Sequence, residues 1–181
     1  MTGLRDNNFT ELMREGGVIS IQSMLAALNT VSYASGVNFA AYPTANTAIY
    51  IPFRTAVPLI ATAMYIHNGA TVSGNFDLGI YTDDGTRLVS SGSTAQSGIS
   101  TLQVVDITDT LLGSGLVFYM AVSFDNTTAT VGKIAISAVR GRVVGIAEEA
   151  SAFALPATAT FAVFTETMAP HIGITTRGTL V

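Results

Sequence analysis

The sequence predicts an all-β protein, an antiparallel β-sandwich of jelly-roll type behind an N-terminal arm, and three observations lead there. Residues 76–89 read as a hairpin. Phe76, Leu78 and Ile80 fall on one face of an extended segment, while Asp77, Gly79 and Tyr81 fall on the other. Asp83-Asp84-Gly85 then turns the chain, with aspartates that tolerate turn conformations and a glycine that supplies positive φ, and Arg87-Leu88-Val89 returns as the partner strand. The second observation is that the chain divides into about eight or nine short apolar runs set apart by turn-forming residues. The third is that a 3.6-residue period is almost absent after residue 36.

At 181 residues the chain suits one well-buried domain with an arm, residues 1–36 forming the arm and 37–181 the sandwich and its tail. Hydrophobic residues make up 49% and charged residues only 11%, against about 25% charged in an ordinary soluble domain. Mean hydropathy is +0.48. A spanning helix needs about 20 consecutive apolar residues, and the uncharged runs are broken too often for that. Asn29, Asn38, Pro43, Asn46 and Pro52 interrupt the run from Gly16 to Phe53, and Pro58, His67, Asn68 and Gly74 interrupt the one from Thr55 to Phe76. The β segments also lack the evenly spaced polar-in alternation of a transmembrane barrel, so no membrane partner is expected. A surface this poor in charge is poorly soluble when exposed, and burial between subunits removes the difficulty. The expectation is an obligate homo-oligomer, taken as a trimer.

Net charge is −4, with Lys133 the single lysine and Arg140-Gly141-Arg142 the only close basic pair. Phosphate-driven binding needs clustered Lys and Arg, so nucleic acid is not an expected partner. Without cysteine, disulfides and thiolate metal sites are excluded. The first residues lack the charged-then-apolar layout of a secretion signal, which predicts a product that stays in the cytoplasm or leaves as part of something larger.

In the arm, Phe9–Arg14 suits one or two helical turns before Gly16-Gly17 stops them. Ile19 and Ile21 then have strand spacing, whereas Met24, Leu25 and Leu28 have helical spacing. The segment reads either as a first strand with a covering helix or as an arm docking on a neighbouring subunit. Strands follow at 47–54, with Pro52 marking an edge or a strand end, and at 59–67, closed by Asn68-Gly69. After the hairpin comes a polar loop, 90–98. A strand spans 102–107, a turn 108–115, and the most apolar strand 116–124, expected at the centre. Strands at 130–139 and near 158–165 complete the set, with residues 143–157 forming either a long connection or a short helix around Glu148-Glu149. Subunit contacts are expected from Leu12, Met13, Ile19, Ile21, Met24 and Leu25 in the arm and from Phe161 and Phe164 in the late strand.

No catalytic residue, metal ligand or cofactor is predicted. His67 and His171 are far apart in the chain and neither has an acidic neighbour, a poor start for a triad or a metal set. Nucleophile-elbow, phosphate-loop and dinucleotide fingerprints are missing. Asp83-Asp84-Gly85 lacks alternating oxygen ligands for calcium and is explained by its turn. Asp106 and Asp109 bracket Thr108 and read as turn caps. Glu148-Glu149, adjacent in sequence, diverge on a strand and cannot converge across a sugar at ~5–10 Å. For glycan binding the chain has no tryptophan, and its six tyrosines sit mostly in strands, where packing is their commoner use.

Several phrases carry a resemblance: Tyr42-Pro43, Ile49-Tyr50-Ile51-Pro52-Phe53, Asn68-Gly69, Gly74-Asn75-Phe76-Asp77-Leu78-Gly79-Ile80-Tyr81, Asp84-Gly85-Thr86-Arg87-Leu88 and Leu155-Pro156-Ala157-Thr158-Ala159. Across residues 40–165 the chain resembles a recurrent β-sandwich of tailed-bacteriophage virion proteins, namely head-decoration, head-fibre and tail-fibre-like components. Its motifs are packing and turn residues, with no binding residues to transfer. The resemblance implies a non-enzymatic virion building block, assembled in the host cytoplasm. Such a block would decorate or cement the capsid through contacts with the major capsid or another virion protein. A receptor- or glycan-binding module of a tail or fibre is the alternative it leaves open.

Overall fold

Period-two alternation sets the layers. In the computed structural model, which describes residues 18–20 and 38–178, the strands β3 (Ala48–Arg54), β5 (Asn75–Thr82) and β9 (Val117–Phe124) lie side by side with β9 in the middle. Ile49, Ile51 and Phe53, Phe76, Leu78 and Ile80, and Phe118, Met120, Val122 and Phe124 all enter one core cluster. The intervening residues face the other way. The sheet is completed by β6 (Arg87–Ser90) and by β7 (Thr94–Ala95), which pairs with β5. On the far side β11 (Ala147–Glu149) and β12 (Ala162–Val163) extend it. Pro52 lies beyond the part of β3 that β11 pairs, Ala48–Tyr50, so its missing N–H falls where no ladder needs it.

The opposite layer contains β4 (Leu59–His67), β8 (Leu102–Leu112) and β14 (Ile172–Gly178), in the order β14-β4-β8, with β1 (Val18–Ser20) on the outer side of β14. A smaller sheet continues this layer: β10 (Thr130–Ala135) between β2 (Asn38–Ala41) and β13 (Met168–Pro170). Leu59, Ala61, Met64, Ile66, Ile107, Leu112, Val131, Ile172 and Ile174 meet the first sheet across the core. The result is the expected all-β antiparallel sandwich, jelly-roll-like in that β3, β4, β5, β8 and β9 alternate between layers along the chain.

The outer face of the seven-stranded sheet is covered as well. Tyr50, Tyr81 and Ala121 pack under Ala152, Leu155 and Ala159 in a second apolar cluster. This covering segment runs along the hairpin. Arg87 N–H donates to Ala157 C=O at 3.0 Å, Ala159 N–H to Gly85 C=O at 2.8 Å, and Tyr81 Oη to Pro156 C=O at 2.6 Å. Gly85 has φ +87°, and a Cβ there would sit 2.7 Å from Ala159 O, so the predicted hairpin glycine serves both its turn and this approach.

Three expectations are corrected. The strand from Thr130 ends at Ala135, because Ser137 caps a helix, α1 (Ala138–Val143), by accepting from Arg140 N–H at 3.3 Å. Glu148 and Glu149 lie in β11, where pairing with β3 overrides their helical preference. The strand expected at 158–165 is reduced to Ala162–Val163. In addition, β8 runs on to Leu112 with a pairing irregularity against β4, and the turn is only Gly113-Ser114-Gly115, tied to Thr55 by Gly115 N–H at 2.8 Å. Apart from Ile19, which pairs with Ile174, the arm residues named above, together with Phe9–Arg14, lie outside the described residues.

Candidate functional site

Most acidic side chains among the described residues are engaged in hydrogen bonds within the chain. Asp84 Oδ1 accepts from Thr86 N–H at 3.0 Å and from the Thr82 hydroxyl, closing the hairpin turn. Glu149 accepts from Tyr50 Oη at 2.7 Å and Thr160 N–H at 3.0 Å, and Glu148 from Thr165 N–H at 2.9 Å, so the two adjacent carboxyls hold different stretches of the covering segment. Asp109 pairs with Arg177 at the surface, a contact worth little in water. Asp125 accepts from Asn75 N–H at 3.0 Å and from the Asn126 amide at 2.6 Å. Burial pushes its pKa up, but these donors win and hold it below the ordinary value. Tyr42, Tyr50, Tyr65 and Tyr81 are buried and Tyr119 packs on Phe161 at 4.5 Å, so the tyrosines placed by the structure are absorbed in packing, while Tyr33 lies outside the described residues.

The histidines are the exception to local use. β4 ends at His67, and His171 sits between β13 and β14. The pairing register of β4 with β14 carries on one step to bring them opposite each other. His67 N–H donates to His171 C=O at 3.1 Å and His171 N–H to Gly132 C=O at 2.7 Å, which knits the two sheets of this layer together. The ring centres are 5.6 Å apart and tilted by 58°. Phe39 meets His67 edge-on at 5.0 Å, and Tyr65 approaches His171 at 6.3 Å. The Nδ1 atoms of both rings are buried without a hydrogen-bond partner. Beside them, Asn68 Nδ2 donates to Gln103 Oε1 at 2.9 Å, and Gln96 Nε2 to Asn68 Oδ1 at 3.0 Å, a buried amide chain that holds the 95–103 loop against the junction.

The pair resists protonation. Desolvation lowers the pKa of His171 from 6.5 to about 4, with the charge of His67 a smaller contribution, and desolvation also lowers His67. The unfolded chain therefore takes up protons near pH 6.5 that the folded chain refuses. The His171 contribution to stability is full above 6.5, falls as the pH drops toward 4, and is gone below that. Allowing for the partial access of the ring to water, the loss should be about 2 kcal/mol. Urea unfolding in metal-free buffer at pH 7.5 and pH 5 should show His171→Asn losing less stability than the wild type. Parallel losses in the two proteins would exclude the effect.

Two exposed apolar surfaces were not foreseen. Val139 and Val143, four residues apart on α1, are 67% and 82% exposed, and Val163 on the neighbouring β12 is 63% exposed. Arg142 Nε donates to Phe164 C=O at 2.9 Å and keeps the helix beside that strand. On β8, Leu102, Val104 and Leu111 are also exposed. Phe161 is half-buried, 5.1 Å from Tyr50, and Phe164 is fully buried beneath α1, its ring engaged within the chain. The i, i+4 valines carried the signal for the first surface, but it is visible only once residues 138–143 are known to be helical. Among the described residues, no group of three His, Asp or Glu side chains converges as a metal cluster, and no helix is long and apolar enough to cross a membrane. No protein-family model matches the chain, and no curated protein matches it either.

Proposed function

We propose that this chain is a non-enzymatic structural subunit of a tailed-bacteriophage virion, a capsid decoration or cement protein. In this reading it assembles with copies of itself, as a trimer, and seats on the major capsid protein. The observation that carries the reading is the valine surface of α1 and β12, three large apolar side chains held outward on a rigid sandwich in a chain with 11% charged residues. Apolar area removed from water at such a joint contributes about 25 cal/mol per Å². A cement protein needs just this, affinity without chemistry, and the carboxyl groups spent on turns and the covering segment agree with it. The virion context rests on the likeness of residues 40–165 to phage sandwiches.

Sedimentation of the purified full-length chain tests the assembly. The wild type should sediment as a homo-oligomer at micromolar concentration. Val139→Glu/Val143→Glu should sediment as a monomer with unchanged far-UV circular dichroism, since burying two unpaired carboxylates at a joint costs several kcal/mol. A wild type that is monomeric and soluble at that concentration would overturn the reading. Copy number per particle, from gel densitometry, separates a decoration protein present on every capsid face from a glycan-binding module present in a few copies.

A further inference from the structure

The proposed assembly makes no use of the histidine pair. Two imidazoles stand side by side at the end of β4 and just before β14, their backbones joined by the His67 N–H to His171 C=O hydrogen bond of 3.1 Å, and each carries a buried Nδ1 that no protein group engages. Buried polar nitrogens normally have a partner, and two such atoms on neighbouring rings 5.6 Å apart can be met by a shared one. A metal-bound imidazole nitrogen lies about 2.0–2.1 Å from a zinc-class ion, which puts its ring centre roughly 3.2 Å away. Two rings sharing an ion at tetrahedral to trigonal angles then have centres about 5.2–5.5 Å apart. The observed 5.6 Å, with the rings tilted rather than stacked, lies about 0.1 Å beyond the open end of that range.

The geometry points to a two-histidine site for one borderline divalent ion of the zinc or nickel class, clamping the end of β4 against the segment that joins β13 to β14. Imidazole nitrogen suits these ions, whereas calcium and magnesium seek oxygen. No third His, Asp or Glu completes the set among the described residues, so water fills the remaining positions and binding is of moderate strength. The site fastens the two sheets of one layer and is independent of the valine surface.

The chain has two histidines, which makes the test direct. Full-length protein is stripped with chelator, dialysed, and titrated with zinc chloride by calorimetry, while long-range 1H–15N spectra follow the imidazole nitrogens. One ion per chain should bind saturably, both histidines' Nδ1 resonances should move, and the melting temperature should rise by about 4–6 °C at 30-fold excess over Kd. Magnesium chloride should do nothing. His67→Asn and His171→Asn should each abolish the rise. Should either variant fold poorly, the wild-type spectra still decide. Unmoved imidazole resonances, absent saturation, or equal binding by the double variant would each overturn the site.

Discussion

Asp77→Ala should cost the fold about 3–4 kcal/mol and loosen one strip of it before the rest. Asp77 is wholly buried on the outer face of β5. Its carboxyl group accepts from Ser90 Oγ at 2.7 Å, from Ser91 Oγ at 3.2 Å and from Leu155 N–H at 3.0 Å. The three donors differ in what they can do without it. Ser91 Oγ is also 3.0 Å from Gly92 C=O, and Ser90 Oγ already accepts from Gly92 N–H at 2.9 Å. Leu155 N–H has no such alternative, and a buried amide left unpaired costs about 1–3 kcal/mol. Because Leu155 anchors the covering segment over Tyr50 and Tyr81, hydrogen exchange in Asp77→Ala should rise over residues 153–159 before it rises in β9. Asp77→Asn keeps one carbonyl oxygen for Leu155 and lets the serine hydroxyls reverse as acceptors, so its loss should be about 1 kcal/mol. A loss below 1 kcal/mol for the alanine variant in urea unfolding, or exchange that rises evenly over the molecule, would mean that the covering segment is held by packing alone.

That anchor also marks where reading the sequence succeeds and where it stops. Alternation placed Phe76, Leu78 and Ile80 on one face of β5 and Asp77 and Tyr81 on the other, and both assignments hold. The hairpin turn, the span of β4 and the central position of β9 were legible for the same reason. Each is specified by neighbours within a few residues. What alternation cannot say is whether the second face meets water. Here a segment about 75 residues further on covers it, and Asp77 on that face is the hook. The same limit hid the histidine pair, which exists because β14 returns beside β4. It also hid α1, which follows its capping serine although it holds two valines and a glycine, residues of weak helix preference. The tight placement of Glu148 and Glu149 depends on an edge pairing with β3 that no local pattern announces.

Phe164→Ala should be the most damaging of the substitutions proposed, costing about 3–5 kcal/mol relative to the wild type at every protein concentration. In sequence, Phe161 and Phe164 look alike, two aromatic residues in one late apolar stretch and both plausible at a subunit joint. In space they part. Phe161 is half-buried against Tyr50 and Tyr119, whereas Phe164 is fully buried in the main core. Its ring lies so close to α1 that a Cβ on Gly141 would be 2.3 Å from Cδ1. Removing it opens a cavity under the helix that the stiff β12 edge and the Arg142 contact cannot collapse. A residue that works only between subunits behaves differently: its loss shifts the oligomer equilibrium, and the apparent stability then varies with concentration. Melting Phe164→Ala and Val139→Glu/Val143→Glu over a hundredfold range of concentration therefore sorts the two kinds of apolar residue. The core variant should melt below the wild type by the same margin at every concentration, both rising with it. The surface variant should melt where the isolated subunit does, at a temperature that does not change with concentration. If Phe164→Ala instead melts like the wild type at high concentration and falls only on dilution, its ring belongs to a joint between subunits and the packing of α1 on this core is misassigned.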